Sequence, residues 1–153
     1  MKLEPVRAED ADSLARVHGA SFDAGWSADD IAALLRADGG FGLAALDDAG
    51  AIVGFILARG AADEAEVLTM AVSPACRRQG HARVLVEAAA RLAGVRGARS
   101  LLLEVAVDNH AAIGLYRAAA FAEVGIRRRY YARAGKDAVD AMVMRRDLNN
   151  ASA

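Results

Sequence analysis

Met70-Ala71-Val72-Ser73-Pro74-Ala75-Cys76-Arg77-Arg78-Gln79-Gly80-His81-Ala82-Arg83 joins two stretches of opposite periodicity. Before it, residues 64–72 read as a strand, stopped at Ser73-Pro74 because proline removes a backbone donor and drives its predecessor out of the helical region. After it, Leu85, Ala88, Ala89 and Leu92 recur at helical spacing, with Gly94 or Gly97 to end the helix. Arginines and a glycine thus sit directly before a helix N-terminus. Backbone amides there point outward unpaired and carry partial positive charge, and Gly80 with the small Ala82 lets a bulky anion approach the main chain. A pyrophosphate suits that arrangement; a surface turn with three solvated arginines is the plain alternative.

Downstream, residues 100–107 are nearly all apolar, the pattern of a strand covered on both faces, so strand, loop, helix and parallel strand form a crossover unit. Asn109 opens a further helix to about Ala118, and residues 123–130 and 141–146 read as closing strands. Upstream, residues 9–22 carry Leu14, Val17 and His18 at helical spacing. Ser27-Ala28-Asp29-Asp30 resembles a capping box for a second helix bearing Ile31, Leu34 and Leu35. Residues 41–46 and 51–58 form a hairpin about Asp47-Asp48-Ala49-Gly50. The run Gly40-Phe41-Gly42-Leu43-Ala44-Ala45 formally matches a dinucleotide fingerprint, but it follows a helix and leads into a strand, the reverse of what that fingerprint requires; it reads as a helix stop. Strands and helices alternate in an α/β (α+β) pattern with hairpins at both ends. One domain over residues 1–148 and a frayed tail, 149–153, are expected.

The composition suits that reading. Of 153 residues, 55% are hydrophobic and 25% charged, the balance of a globular protein and not of a disordered chain. A net charge of -1 lacks the positive field that nonspecific nucleic-acid binding needs. The one cysteine, Cys76, has no internal disulfide partner, and no Cys/His cluster has the spacing of a metal site. The first residues lack a signal peptide's apolar core, and residues 51–58 are far shorter than the roughly 20 that span a bilayer. A cytoplasmic protein with no metal, no membrane contact and no direct nucleic-acid partner is expected.

Two polar features interrupt the apolar pattern. Glu104 lies within Leu101-Leu102-Leu103-Glu104-Val105, where a carboxylate loses hydration unless it is compensated by function, by exposure at a strand end or by an arginine. Asn109 and Tyr116 lie seven residues apart on one helix face, roughly 10 Å along its axis. A tyrosine there keeps its ring buried while its hydroxyl reaches a polar site, which suits a structural role as well as a catalytic one.

The strand-Pro-x-x-Arg-Arg-Gln-Gly-x-Ala-helix arrangement resembles the Arg/Gln-x-x-Gly-x-Gly/Ala motif of GNAT acetyltransferases. Leu103-Glu104-Val105, Asp108-Asn109, Ala111-Ala112-Ile113, Leu115-Tyr116 and Phe121, with Arg128-Arg129-Tyr130-Tyr131, are similar to the signature of RimI-like protein N-terminal acetyltransferases. The resemblance covers most of residues 64–146. Ala120 stands where that family has glycine before phenylalanine, and Gly25-Trp26-Ser27 lacks the proline of its Pro-Trp-Ser loop. The resemblance implies a GNAT fold, a mixed central sheet of about six to seven strands flanked by about four helices, and acetyl-CoA as cosubstrate. It implies that Arg78, Gln79, Gly80, His81, Ala82 and Arg83 meet the pyrophosphate, His81 through its backbone amide alone. Met70, Ala71 and Val72 would offer backbone to the pantetheine and acetyl group, and Asn109 would hold the pantetheine or a water. Glu104 would be the base, Tyr116 the acid that protonates the sulfur, and Trp26 and Tyr131 would lie near the acceptor.

An α-amine has an unperturbed pKa of roughly 8 and a lysine amine roughly 10.4, so deprotonating lysine near neutrality costs about 3 kcal/mol more. A single carboxylate is therefore better matched to an N-terminus. The resemblance implies the same acceptor, in particular the N-terminal alanine of ribosomal small-subunit protein eighteen, and a monomer is expected. A small-molecule amine or lysine side chain, or a non-catalytic coenzyme A-binding module, are the other readings. The run Arg127-Arg128-Arg129-Tyr130-Tyr131 suits RNA, but as a strand it turns alternate side chains to opposite sides and leaves its arginines solvated.

Overall fold

The computed structural model describes residues 2–20, 26–133 and 136–148, with the backbone alone at 129–133 and 136–137. The expected tail at 149–153 lies outside the described residues. In chain order the elements are β1 (Lys2–Pro5), α1 (Ala11–Gly19), α2 (Ala28–Arg36), β2 (Gly40–Leu46), β3 (Ile52–Ala61), β4 (Glu64–Val72), α3 (His81–Val95), β5 (Ser100–Ala106), α4 (His110–Ala118), β6 (Ala122–Arg133) and β7 (Lys136–Asp147). They form a seven-stranded mixed sheet in the order β1-β2-β3-β4-β5-β7-β6. The β4–α3–β5 unit is the expected parallel crossover, and every other pairing is antiparallel.

Local chemistry explains most of the boundaries. Ser27 Oγ accepts the Asp30 amide at 3.0 Å and starts α2 as its sequence suggested. In the β2–β3 turn, Asp47 Oδ1 accepts the amides of Ala49 and Ala51, both at 2.9 Å, which closes the hairpin. β1 was not expected: Lys2-Leu3-Glu4-Pro5 is short, polar and ends in proline, yet it pairs with β2 as an edge strand, where proline is tolerated.

Two apolar layers sandwich the sheet. α3 and α4 bring Leu85, Val86, Ala89, Ile113 and Tyr116 onto one face, against Ile56, Val67, Leu101, Leu103, Val105 and Met144. α1 and α2 bring Leu14, Val17, Ile31 and Leu34 onto the other, against Phe55, Leu57 and Ala71. β5 is a correction to the sequence reading. Leu101, Leu103 and Val105 are buried, while Leu102, Glu104 and Ala106 on the opposite face are only partly so. The strand is fully covered on one side, because α1 and α2 lie over β2, β3 and β4.

β4 changes character halfway. Its register with β3 shifts between Leu57, which faces Thr69, and Ala58, which faces Val67, leaving Leu68 as an extra residue. An inserted residue bends a strand and reverses its alternation. Ala65 and Val67 therefore face the α3 layer, but beyond the bulge Met70 and Val72 take that side and Ala71 turns to the α1 layer. β4 pairs with β5 only at Glu64, Ala65 and Glu66, opposite Ser100, Leu101 and Leu102. Past these residues the two strands part.

His18 is buried among the α1-layer side chains at 3% exposure. Its Nδ1 accepts the Trp26 amide at 3.1 Å, so the ring proton is on Nε2, which lies 3.0 Å from Thr69 Oγ1 and donates to it. Burial holds its pKa below the ordinary value of 6.5.

At the end of α4, the Phe121 amide donates to Tyr116 C=O and the Ala120 amide to Arg117 C=O, which is a Schellman closure. Ala120 has φ 70° there, the left-handed conformation that glycine takes without strain. Ala120→Gly is expected to raise unfolding free energy by about 0.5–1 kcal/mol, the left-handed penalty less glycine's entropy cost, in a denaturant titration.

His18 yields a second prediction. Its folded pKa lies below its unfolded one, so below pH 6.5 the unfolded chain binds a proton that the folded chain resists. The stability from the neutral ring is present above that pH and is lost as pH falls through it. The melting temperature should fall as the pH is lowered below about 6.5, and His18→Asn should flatten that fall.

Candidate active site

The expected phosphate loop is shaped by two left-handed residues. Arg78 has φ 63° and Gly80 φ 83°; Gly80 is the N-cap of α3 and, having no side chain, makes no cap hydrogen bond. The first bond closing the helix runs from the Val84 amide to Gly80 C=O at 3.1 Å. The amides of the first turn, His81 to Arg83, therefore precede any intrahelical partner. A non-glycine residue held left-handed costs roughly 1–2 kcal/mol, and such strain gathers at ligand clamps.

A pocket of about 320 Å³ opens over this terminus, lined by Val72, Cys76, Arg77, Arg78, Gly80, His81, Ala82, Arg83, Ala111 and Leu115. Six of the ten expected cofactor residues thus meet in one cavity. Gln79 is exposed beside it. Arg77 Nε donates to Val72 C=O at 3.1 Å, which fixes the loop to the end of β4. Arg83 approaches Glu87 at 3.8 Å, and Glu87 also accepts Arg146 Nη1 at 3.0 Å. His81, read from the sequence as acting through its backbone amide, also lines the pocket. Its Nδ1 is buried and, among the described residues, has no hydrogen-bond partner. A buried orphan nitrogen, open amides and two flanking arginines fit a polyanionic group.

Where β4 and β5 part, their facing edges are left without strand partners among the described residues. Met70, Ala71 and Val72 form one edge. Glu104 lies on the other, two residues beyond the last pair, on the face turned toward the α1 side. Its Oε1 accepts Arg127 Nη1 at 2.7 Å. Arg127 reaches from β6 across β7, where Val143 is the neighbour of both Glu104 and the side-chain-free Gly125. The arginine alternative for Glu104 is thus met, and Arg127 is not merely solvated as its strand pattern suggested. With Arg127 55% exposed, such a pair stabilises by at most about 1 kcal/mol, so it serves to aim the carboxylate more than to hold the fold.

Tyr116 comes from the opposite layer. It is buried in the α3 face of the core, edge-on to Phe121 at 5.8 Å between ring centres. Asn109 Oδ1 accepts the Ala112 amide at 3.2 Å and caps α4, so that oxygen is engaged within the protein. Trp26 is half-buried against the α1 layer. Tyr131 stands opposite Val139 on the β6–β7 ladder, and its side chain lies outside the described residues. Arg127, Cys76 and the orphan nitrogen of His81 were missed in the sequence; only Arg127 had a signal, the arginine run itself. No group of three or more His, Cys, Asp or Glu is gathered among the described residues to hold a metal ion, and no helix there is long and apolar enough to cross a membrane.

The model of the acetyltransferase (GNAT) family matches residues 10–121. A Bacillus subtilis relative, provisionally named a ribosomal protein bS18-alanine N-acetyltransferase, is 31% identical over 134 residues, 88% of this chain and 89% of its own length. The Escherichia coli protein of that name is 40% identical over 82 residues, 54% of this chain and 55% of its own length. The crystal structure of the Escherichia coli ribosomal-protein-S18-alanine N-acetyltransferase superposes with a TM-score of 0.88 at 27% identity, covering 96% of this chain and 93% of that one. The chain belongs to the acetyltransferase (GNAT) family and is an acetyl-CoA-dependent N-acetyltransferase.

Proposed function

We propose that this enzyme acetylates the N-terminal α-amine of a protein, with the N-terminal alanine of ribosomal protein bS18 as its acceptor, in the cytoplasm and as a single domain over residues 1–148. The observation that carries this reading is the place of Glu104: a carboxylate, aimed by Arg127, on the wall of the β4–β5 opening. One carboxylate suits an amine whose pKa is roughly 8 better than one near 10.4. The names of the Bacillus subtilis and Escherichia coli relatives support the same acceptor.

Acetyl-CoA supplies an activated acetyl group as a thioester. The α3 amides, Arg78, Gln79, Arg83 and the Nδ1 side of His81 hold its diphosphate, and Met70, Ala71, Val72 and the Asn109 side chain align the pantetheine. Glu104 accepts the ammonium proton, directly or through water, so that the nitrogen lone pair can form the N–C bond. Backbone amides near Ala71 and Val72 stabilise the carbonyl oxygen as it becomes anionic. Tyr116 then donates its phenolic proton to the sulfur as the C–S bond breaks, and the second proton of the attacking nitrogen passes through water to the tyrosinate, so that the products are the acetylated amine and a free thiol. Glu104 and Tyr116 lie on opposite faces of the sheet, which suits a base on the acceptor side and an acid on the thiol side. Trp26 and Tyr131 flank the acceptor.

Incubation with acetyl-CoA and an alanine-initiated peptide should give an N-terminally acetylated product by mass spectrometry. A peptide with its α-amine blocked and its lysines free should remain unmodified; the reverse result would overturn the acceptor. Glu104→Gln should lower kcat/KM by about 10²–10⁴-fold, most below about pH 8, where the amine carries its proton. Tyr116→Phe should lower kcat by about 10²-fold while calorimetry finds the acetyl-CoA Kd unchanged.

A further inference from the structure

His18 is a polar ring in a layer otherwise made of Leu14, Val17, Ile31, Phe55 and Leu57. A leucine would fill that volume without the cost of burying two ring nitrogens. What the imidazole provides is a rigid link between segments far apart in the chain. Nδ1 accepts from the Trp26 main chain, eight residues on, and Nε2–H donates to Thr69 Oγ1, 51 residues on. The ring also lies 6.4 Å from the Trp26 ring and 6.2 Å from that of Phe55, tilted to both. Each hydrogen bond requires the other: acceptance at Nδ1 fixes the tautomer that donates at Nε2.

The two ends of this link matter to the site. Trp26 immediately precedes Ser27, the N-cap of α2, so the bond sets where the chain enters that helix. Thr69 is the residue after the β4 bulge and the one before Met70. It faces α1 only because the bulge reverses the alternation. We propose that His18 is a positioning residue for the acceptor: by joining the Trp26 backbone to Thr69, it sets the distance between the acceptor wall and the main chain of residues 70–72 that faces the thioester. This rests on the acceptor-side role given to Trp26 above.

Trp26 is the single tryptophan of the chain, so its fluorescence reports the link without any substrate. His18→Ala should make Trp26 more accessible to acrylamide quenching and raise the KM for an alanine-initiated peptide by about fivefold, as for the loss of one ordinary hydrogen bond. Residues 69–72 stay held by their pairing with β3, so it is the acceptor wall that moves and the acetyl-CoA Kd should not change. His18→Asn, whose Oδ1 occupies the position of Nδ1, should recover most of the quenching protection. Thr69→Val should raise the peptide KM as His18→Ala does, Thr69→Ser should restore it, and the double variant should be no worse than either single one. Unchanged quenching and peptide KM in a folded His18→Ala protein would overturn the inference. So would a parallel rise in acetyl-CoA Kd, which marks a general packing role. Should His18→Ala fail to fold, the near-isosteric Thr69→Val gives the same two readouts. Failure of the unaltered enzyme to acetylate the peptide would overturn the acceptor instead, while the quenching series still decides the link.

Discussion

One extra residue in β4 organises the molecule. Up to Val67 the strand alternates in step with β3, and it pairs with β5 as far as Glu66; Leu68 is then accommodated as a bulge and the strand bends away. A parallel pair that stayed in register to Val72 would bury its edges in hydrogen bonds and leave no main chain to offer. Parting the strands costs several backbone hydrogen bonds, each worth about 1 kcal/mol net. That cost is met by the apolar layers on both faces, where Phe55, Ile56, Leu57, Leu85 and Leu101 are essentially inaccessible to solvent. Full burial of side chains of this size stabilises by about 1.5–3 kcal/mol each, so the core outweighs the open seam.

The bulge also decides which layer each β4 side chain meets. Met70 and Val72 are turned toward α3, and Val72 shares the pocket at its N-terminus. Thr69 is turned toward α1 and its histidine. One backbone irregularity therefore sends alternate residues to the α3 layer, where the pocket opens, and to the α1 layer. The Arg77 bond to Val72 C=O fastens the loop to the same strand end, so that the two sides share a frame.

Much of this was legible in the sequence where local physics suffices. Ser73-Pro74 ended β4, Gly80 marked the start of α3, and Asp47 with Gly50 marked the hairpin, because turn and cap chemistry acts over a few residues. The departure from glycine at Ala120 appears as a left-handed alanine, so the family pattern had reported a backbone requirement. What could not be read depends on distant partners. The Leu68 bulge has no glycine to announce it. Arg127 finds Glu104 only because β7 enters between β5 and β6. His18 matched the helical period of α1 as any core residue would, and its two hydrogen bonds reach segments that periodicity does not relate. Asn109 was placed correctly at the head of α4, yet the engagement of its oxygen by Ala112 follows from cap geometry that spacing alone leaves open.

The strand order carries a consequence for biosynthesis. β7 is the last of the seven strands to leave the ribosome, yet it lies inside the sheet, between β5 and β6. Until it arrives, β5 is an unprotected edge of mainly leucine and valine, the type of surface that invites misassociation during translation. The nascent chain can pair β1 to β4 and dock its first three helices, but the carboxylate wall waits for residues 136–147. Completion of the sheet around Glu104 is thereby deferred until the seventh strand is released.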